Sequence, residues 1–220
     1  MSIVTVNPRV LLVYGGTFDP VHCGHVAVAK AAADVTGATH VLLIPCGDPP
    51  HRDKPLASGA LRAELLRLAF ANDPRFVVDE RELGRVGPSF MVDTLAEIRA
   101  EIGASAPLAL LVGQDAARGL PGWHAWLRLP TLAHLLVVPR AADQEALALE
   151  VTAAWRPVDD VTEFAMAPAG LVYRLPQALS AASATASRRA LATGDNAHAD
   201  LPSAVGQRLA SSSPYRVAEK

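Results

Sequence analysis

Residues 10–25, VLLVYGGTFDPVHCGH, combine an apolar run, a glycine pair and two histidines in one short stretch. The apolar residues 10–14 predict a buried β-strand. Gly15 and Gly16 at its end predict a turn where the backbone can approach a ligand, because glycine has no Cβ. Residues 24–35 have the length of a helix, and free amides and the dipole at a helix N-terminus favour phosphate. The stretch predicts the first strand–helix unit of an α/β fold, with a ligand site at its turn.

The same alternation of strands and helices continues along the chain. Strands are predicted at residues 40–44, 75–79, 108–112 and 134–138, and helices at residues 58–71 and 89–102. In the first of these two helices, helical spacing places Leu61, Leu65 and Leu68 on the core face and Arg62 off that face. Continuous apolar strands separated by helices indicate a parallel sheet that is covered on both faces. We therefore expect an α/β fold with a doubly wound, Rossmann-like parallel sheet and helices on both faces.

The pattern is weaker after residue 139. Residues 142–155 predict a helix, residues 171–174 a strand and residues 183–192 a short helix, and a last helix is expected from Leu201. We find no internal repeat and no linker. The whole chain, residues 1–220, is therefore expected to form one domain whose C-terminal part, about residues 183–220, is helical.

Composition excludes several classes of protein. Half of the 220 residues are hydrophobic and 19% are charged, which excludes a disordered chain. A formal net charge of −2 lacks the basic excess of a general nucleic-acid binder. The apolar runs are shorter than the about 20 residues of a membrane span. The first residues lack the apolar segment of a signal peptide, and two cysteines make no disulfide framework. We expect a cytoplasmic protein that binds neither nucleic acid nor membrane.

Several common catalytic motifs are missing from the sequence. No GxGxxG follows the first strand, which disfavours a dinucleotide-dependent dehydrogenase, and no P-loop or GxSxG nucleophile motif occurs. His22 and His25 could present two imidazoles to one anion. They could also be metal ligands, but no third ligand lies at a convincing spacing. A glycine pair alone is more often a plain turn than a phosphate site.

The run GGTFDPVHCGH resembles the HxGH motif of the nucleotidyltransferase superfamily, in its bacterial adenylyltransferase form. Four further stretches are similar to motifs of the nicotinate-nucleotide adenylyltransferase family: IPCGDPPHR at residues 44–52, DERELGR at residues 79–85, PSFMVDTL at residues 88–95 and LVGQDAARGLPGWHAW at residues 111–126. SATASR at residues 183–188 resembles the S-x-T-x-x-R motif of the superfamily. The motifs follow one another over nearly the whole chain, and only about residues 141–168 lack one.

The resemblance implies a reaction. The adenylyl group of ATP is transferred to nicotinate mononucleotide, giving nicotinate adenine dinucleotide (deamido-NAD) and pyrophosphate in NAD biosynthesis. The mononucleotide phosphate attacks the α-phosphorus of ATP in line, so positioning and charge stabilisation suffice and no protein nucleophile is needed. Mg²⁺ is expected to be bound through the ATP phosphates and not by a dedicated protein site. The protein is expected to be a monomer or a homo-oligomer, and the sequence does not decide between these states.

The resemblance also implies roles for individual residues at the ATP site. His25 would contact the α-phosphate, His22 the β-phosphate or leaving group, and Arg188 the departing pyrophosphate. Asp115 would accept hydrogen bonds from a ribose, unless it is simply a helix N-cap. The ATP-binding positions are Gly15, Gly16, Thr17, Phe18, Gly113, Asp115, Ser183 and Thr185.

On the acceptor side, the resemblance implies that His51 and Arg52 bind the mononucleotide phosphate or ribose. Trp123 would stack on the pyridine ring, although a tryptophan is more often a core residue, and Trp126 is expected in the core. Met91 and His124 would offer backbone amides to the nicotinate carboxylate.

The sequence departs from the family pattern at a few positions. Phe90 and His124 stand where the family has Tyr, Met91 where it has Thr, and Ser187 where it has an apolar residue. Phosphopantetheine adenylyltransferase, a cytidylyltransferase and an inactive nucleotide-binding module are the competing interpretations.

Overall fold

The computed structural model describes residues 10–47, 54–139, 146–176, 183–193, 200–211 and 213–215. Its strands are β1 (Leu11–Gly16), β2 (His40–Pro45), β3 (Phe76–Val78), β4 (Leu108–Gly113), β5 (His134–Val138), β6 (Arg156–Pro157) and β7 (Leu171–Arg174). They form one seven-stranded sheet in the order β3-β2-β1-β4-β5-β7-β6. Every neighbouring pair is parallel.

The helices connect the strands and extend the C-terminal part. They are α1 (Cys23–Thr36), α2 (Gly59–Phe70), α3 (Met91–Ile102), α4 (Gln114–Gly119), α5 (Leu129–Leu132), α6 (Leu149–Ala154), α7 (Ala184–Ala192) and α8 (Ser203–Ser211). Short 3₁₀ helices lie at Leu120–Gly122, Trp126–Arg128 and Val161–Met166. The predicted doubly wound, Rossmann-like sheet is confirmed. The assignment of the whole chain to one domain stays a prediction.

The sheet separates two hydrophobic cores because successive side chains of a strand point to opposite faces. Leu12 and Tyr14 of β1 enter one core, and Val13 between them enters the other. The first core is completed by α1, α2, α7 and α8, and the second by α3, α4, α5 and α6. The helices of this fold therefore cover both faces, as the continuous apolar strands predict.

The order of the strands determines where a ligand site can form. From β1 the chain proceeds outward to β2 and β3, and it then returns to β4 on the other side of β1. In open parallel sheets, ligands bind outside the carboxyl ends of the strands at such a reversal. Gly15 and Gly16 end β1 and Gly113 ends β4, so these positions lie on the two sides of the reversal.

Two elements differ from expectation. The helix predicted at residues 142–155 begins at Leu149, residues 146–148 are not helical, and residues 140–145 lie outside the described ranges. Val151 in this helix and Trp155 just after it are buried, so only this end of the segment has a core to pack against. Strand β6 was not predicted, because its two exposed residues, one of them proline, lie at the sheet edge and carry no strand pattern.

Candidate active site

His22 and His25 cap the N-terminus of α1 reciprocally. His22 is the N-cap residue, and the backbone N–H of His25 donates to His22 Nδ1 at 3.4 Å. The backbone N–H of His22 donates in turn to His25 Nδ1 at 3.2 Å. This is the arrangement of a capping box, built here from two imidazoles in place of a hydroxyl and a carboxylate. The two rings are stacked, with their centroids 3.7 Å apart.

The capping contacts fix the tautomer of both rings. Because each Nδ1 accepts an N–H, the proton of each neutral imidazole is on Nε2. Burial of the ring, together with the neighbouring His22, lowers the pKa of His25 to about 3. At neutral pH His25 is therefore an uncharged donor, whose Nε2–H lies on the side of the ring away from the capped helix backbone.

The helix start offers fewer free amides than the sequence suggests. The N–H of Cys23, the first residue of α1, donates to the carbonyl of Asp200 at 2.9 Å. The N–H of His25 is occupied by His22. The expectation that the amides of this helix start bind phosphate is therefore wrong for these two groups. The imidazoles themselves can add donors at this position, assisted by the helix dipole.

The glycine pair makes room for side chains of the protein. A Cβ on Gly15 would overlap with Met91 Cε, and a Cβ on Gly16 would lie 3.1 Å from the ring of Phe18. Phe18 has a positive φ of 49° and is buried, and its ring packs edge-on against His25 with centroids 5.1 Å apart. The loop from Gly15 to Phe18 therefore packs against His25 through the ring of Phe18. Because this ring is buried, the side chain of Phe18 does not line an open site.

Asp19 joins this loop to three distant segments. Its carboxylate is buried and accepts the N–H of Leu56 at 2.8 Å, the N–H of Ala57 at 3.0 Å and the hydroxyl of Tyr215 at 2.7 Å. Its main-chain carbonyl accepts a guanidinium N–H of Arg188 at 2.8 Å. The family motifs drew attention to the histidines and not to Asp19. The only sequence signal was its position inside the GGTFDPVHCGH run.

Arg62 connects the same loop to the end of β2 through hydrogen bonds. Only 2% of Arg62 is exposed, and its guanidinium donates to the carbonyls of Thr17 and Cys46, each at 2.8 Å. The prediction that Arg62 lies off the buried face of its helix is wrong. Helical spacing identified the face that carries Leu65, but the opposite face is covered too, by the loops that follow β1 and β2. No sequence pattern indicated this contact.

Helix α7 brings the predicted pyrophosphate residue to the loop. Ser183 is the N-cap, and its hydroxyl accepts the N–H of Ala186 at 3.1 Å, so this hydroxyl has a structural role. Arg188 donates to Thr185 Oγ1 at 3.2 Å as well as to Asp19. Ser187, where the family has an apolar residue, is buried and donates to the carbonyl of Ser183 at 3.2 Å. The structure therefore brings Arg188 to the loop that carries the histidine pair.

At the end of β4, Gly113 is the N-cap of α4. Asp115 is the second residue of the helix, and 55% of its side chain is exposed. One carboxylate oxygen is 3.9 Å from Arg118. The alternative in which Asp115 serves as the N-cap is therefore wrong. An exposed carboxylate at the carboxyl end of a central strand is compatible with the predicted ribose contact, which stays a prediction.

The residues expected to bind the acceptor are partly described. His51 and Arg52 lie outside the described residues. Met91 is the first residue of α3, whose N-cap Phe90 makes no side-chain capping bond. The ring of Phe90 stacks on His124, with centroids 4.3 Å apart. Met91 therefore lies next to Gly15, and His124 lies against Phe90, the residue before Met91; their roles toward the acceptor stay predictions.

Trp123 and Trp126 are both half-buried, so neither is the fully buried core tryptophan. That residue is Trp155, which is 1% exposed and donates from Nε1 to the carbonyl of Ala133 at 3.0 Å. Trp126 packs near it, with ring centroids 6.5 Å apart. The half-buried position of Trp123 leaves part of its ring accessible, which suits the predicted stacking role.

The donor chemistry around the histidine pair does not favour a protein-held metal ion. Within the described part of the chain, no group of three or more His, Cys, Asp or Glu residues could hold one. Asp19, the carboxylate next to the pair, already accepts hydrogen bonds at both oxygens. The residues present fit a Mg²⁺ ion that arrives on the nucleotide phosphates, and that ion stays a prediction.

Among the described helices, none has the length and apolar character of a membrane span.

Known proteins are similar to this chain over most of its length. Residues 13–190 match the family model of cytidylyltransferase-like proteins. A probable nicotinate-nucleotide adenylyltransferase of Halorhodospira halophila is 44% identical over 213 residues, which cover 94% of this chain and 95% of the relative. Another, of Methylococcus capsulatus, is 42% identical over 206 residues, which cover 92% of this chain and 98% of that relative. The chain belongs to the nicotinate-nucleotide adenylyltransferase family.

A solved structure shares the fold of this adenylyltransferase. The Plasmodium falciparum nicotinic acid mononucleotide adenylyltransferase, complexed with NaAD, superposes with a TM-score of 0.70 at 13% identity. The match covers 94% of this chain and 97% of the other. The resemblance that the motifs carried is therefore confirmed at the level of family and fold, and the roles of the individual site residues stay predictions.

The tautomer and pKa of His25 can be tested by nuclear magnetic resonance. In ¹⁵N-labelled protein, with signals assigned through His25→Gln, we expect the ring of His25 to stay neutral, with its proton on Nε2, between about pH 5 and 8. A midpoint near 6.5, the usual value for histidine, would contradict the capping geometry.

The same pKa shift predicts the sign of a stability effect. Below about pH 6.5 the unfolded chain binds a proton on this histidine that the folded chain does not bind until about pH 3. This difference lowers the free energy of unfolding as the pH falls through that window and has no effect above it. Urea titrations should therefore show a smaller loss of stability on acidification in His25→Gln than in the parent.

Proposed function

We propose that this adenylyltransferase transfers the adenylyl group of ATP to nicotinate mononucleotide, giving nicotinate adenine dinucleotide and pyrophosphate. The observation that carries the proposal is the histidine pair, whose Nδ1 atoms are held by the helix backbone so that both Nε2 atoms are donors. The pair lies at the carboxyl end of β1, beside the reversal of strand order. The choice of acceptor rests on the relatives, which carry the name of this activity.

The geometry suits stabilisation of phosphate charge without proton transfer. Nucleophilic attack by the mononucleotide phosphate on the α-phosphorus moves negative charge onto the phosphoryl oxygens and the leaving pyrophosphate. His25, with its pKa near 3, stabilises that charge as a neutral hydrogen-bond donor and not as an imidazolium. The stacked ring of His22 adds a second donor beside it. Because the backbone already holds both rings, little reorganisation is needed when the nucleotide binds.

Arg188 supplies the positive charge for the pyrophosphate. Its bonds to Asp19 and Thr185 orient the guanidinium toward the loop that carries the histidines. These two hydrogen bonds use only some of the guanidinium N–H groups. The other N–H groups can donate to phosphate oxygens in a bidentate manner that lysine cannot reproduce. Mg²⁺ bound to the triphosphate would shield charge between these groups, in keeping with the lack of a protein-held metal site among the described residues.

The acceptor would bind across Gly15 from the ATP phosphates. The first amides of α3, at Met91 and the residue after it, lack a side-chain cap and offer donors to a carboxylate. His124, stacked on Phe90, lies against the same helix start, and Trp123 offers a partly accessible ring. We further propose a cytoplasmic enzyme that acts as a monomer or a homo-oligomer, with ATP and nicotinate mononucleotide as its substrates.

Replacement of His25 tests the phosphate role directly. His25→Ala should lower turnover roughly 10²–10³-fold, because one preorganised donor to the developing charge is lost. The measurement is pyrophosphate release at saturating ATP and nicotinate mononucleotide. His40→Ala is the matched control, since His40 is exposed at the opposite end of a neighbouring strand. Equal turnover in His25→Ala and the parent would remove His25 from the catalytic residues.

The choice of acceptor is tested by comparing nicotinate and nicotinamide mononucleotides in the same assay with ATP and Mg²⁺. A site that offers only N–H donors suits a carboxylate, whereas the amide N–H₂ would face those donors unpaired at a cost of about 1–3 kcal/mol. We expect kcat/KM to be at least about tenfold higher for the acid. Trp123→Ala should raise KM for both acceptors by similar factors, since stacking does not distinguish them. Equal efficiencies in the parent would contradict acid specificity.

A further inference from the structure

We propose that Tyr215, in the last described segment of the chain, is a positioning residue for the ATP site, acting through Asp19 on Arg188. This inference rests on the proposed function for the role of Arg188. It assigns to the C-terminal segment a role in nucleotide binding that none of the sequence motifs indicates.

The contacts form a continuous path. The hydroxyl of Tyr215 donates to Asp19 Oδ1 at 2.7 Å, across 196 residues of sequence, and Tyr215 is 4% exposed. The main-chain carbonyl of the same Asp19 accepts the N–H of Arg188 at 2.8 Å. Asp19 is therefore fixed on its side-chain oxygens by Tyr215 and by two amides of residues 56 and 57, while it fixes Arg188 with its backbone.

The charges around this hydroxyl support the same path. Burial and the Asp19 carboxylate raise the pKa of Tyr215, and the positive charges of Arg188 and Arg62 oppose that change. The phenol thus stays a neutral donor between one carboxylate and two guanidinium groups. A hydrogen bond to a buried charged group is among the stronger ones in a protein, so its loss should allow Asp19 to shift and should release the orientation of Arg188.

The segment that carries Tyr215 is itself anchored. Helix α8 packs on α2, where Arg208 contacts Glu64 with Nε–Oε1 and Nη2–Oε2 distances of 2.5 Å and 3.1 Å. Val205 and Leu209 of α8 are buried in the core on this face of the sheet. The ring of Tyr215 is itself buried in this core, so removal of its hydroxyl alone leaves that packing in place.

The test is Tyr215→Phe in the full chain, with Tyr173→Phe on β7 as the matched control. Two quantities are measured: the Kd for ATP with Mg²⁺ in the absence of acceptor, and KM for nicotinate mononucleotide at saturating ATP. We expect the Kd for ATP to rise about tenfold, which is about 1.4 kcal/mol, while KM for the mononucleotide changes less than twofold. A general structural defect would instead weaken both substrates together. Tyr173→Phe should change neither.

A double-mutant cycle with Arg188→Ala identifies the path. If Tyr215 acts through Arg188, adding Tyr215→Phe to Arg188→Ala should leave the Kd for ATP unchanged, because the group it positions is gone. Additive losses in the double mutant, or an unchanged Kd in Tyr215→Phe alone, would overturn the proposal. The comparison of Kd values remains valid even if the variants melt at a lower temperature than the parent. Failure of the proposed function has a different signature: the parent would bind ATP but release no pyrophosphate with nicotinate mononucleotide.

Discussion

Reciprocal capping between His22 and His25 is the interaction on which the site depends. A helix start leaves backbone N–H groups without partners, and here two imidazoles take the place that Ser, Thr or Glu usually occupies. The choice has a chemical consequence, because an imidazole bonded through Nδ1 carries its remaining proton on Nε2. One set of contacts therefore stabilises α1 and leaves an N–H donor on Nε2 of each ring. The lowered pKa of His25 follows from the burial of its ring and from electrostatic repulsion by the neighbouring His22.

The loop that carries this pair is held by buried polar contacts more than by secondary structure. The carboxylate of Asp19 accepts hydrogen bonds from residues 56, 57 and 215, and Arg62 donates to the carbonyls of Thr17 and Cys46. Buried charged groups of this kind are costly to disturb when only one partner is removed. The loop thus has a single well-defined position, and Arg188 is oriented by the same network. Rigid placement of donors is what a reaction that relies on charge stabilisation requires.

Local sequence was sufficient for the described strands other than β6, for α1 and for the histidine pair, because each is encoded by neighbouring residues. Apolar periodicity also located α2, but it misplaced Arg62, since periodicity reports which face meets the sheet and not what covers the other face. The Asp19–Tyr215 contact spans 196 residues and leaves no local pattern. Trp126 was expected in the core; it packs against the second core but is only partly buried, whereas the fully buried tryptophan is Trp155, which the sequence did not single out.

In the proposed reaction the histidine pair presents its Nε2 atoms to the nucleotide phosphates. A crystal structure of the full chain with Mg²⁺ and α,β-methylene ATP tests this most directly. We expect oxygens of the α- and β-phosphates at about 2.7–3.2 Å from Nε2 of His25 and His22, with both Nδ1 atoms still bonded to the backbone of the helix start. A triphosphate bound away from the pair, or a ring turned so that Nδ1 faces the phosphate, would contradict the account.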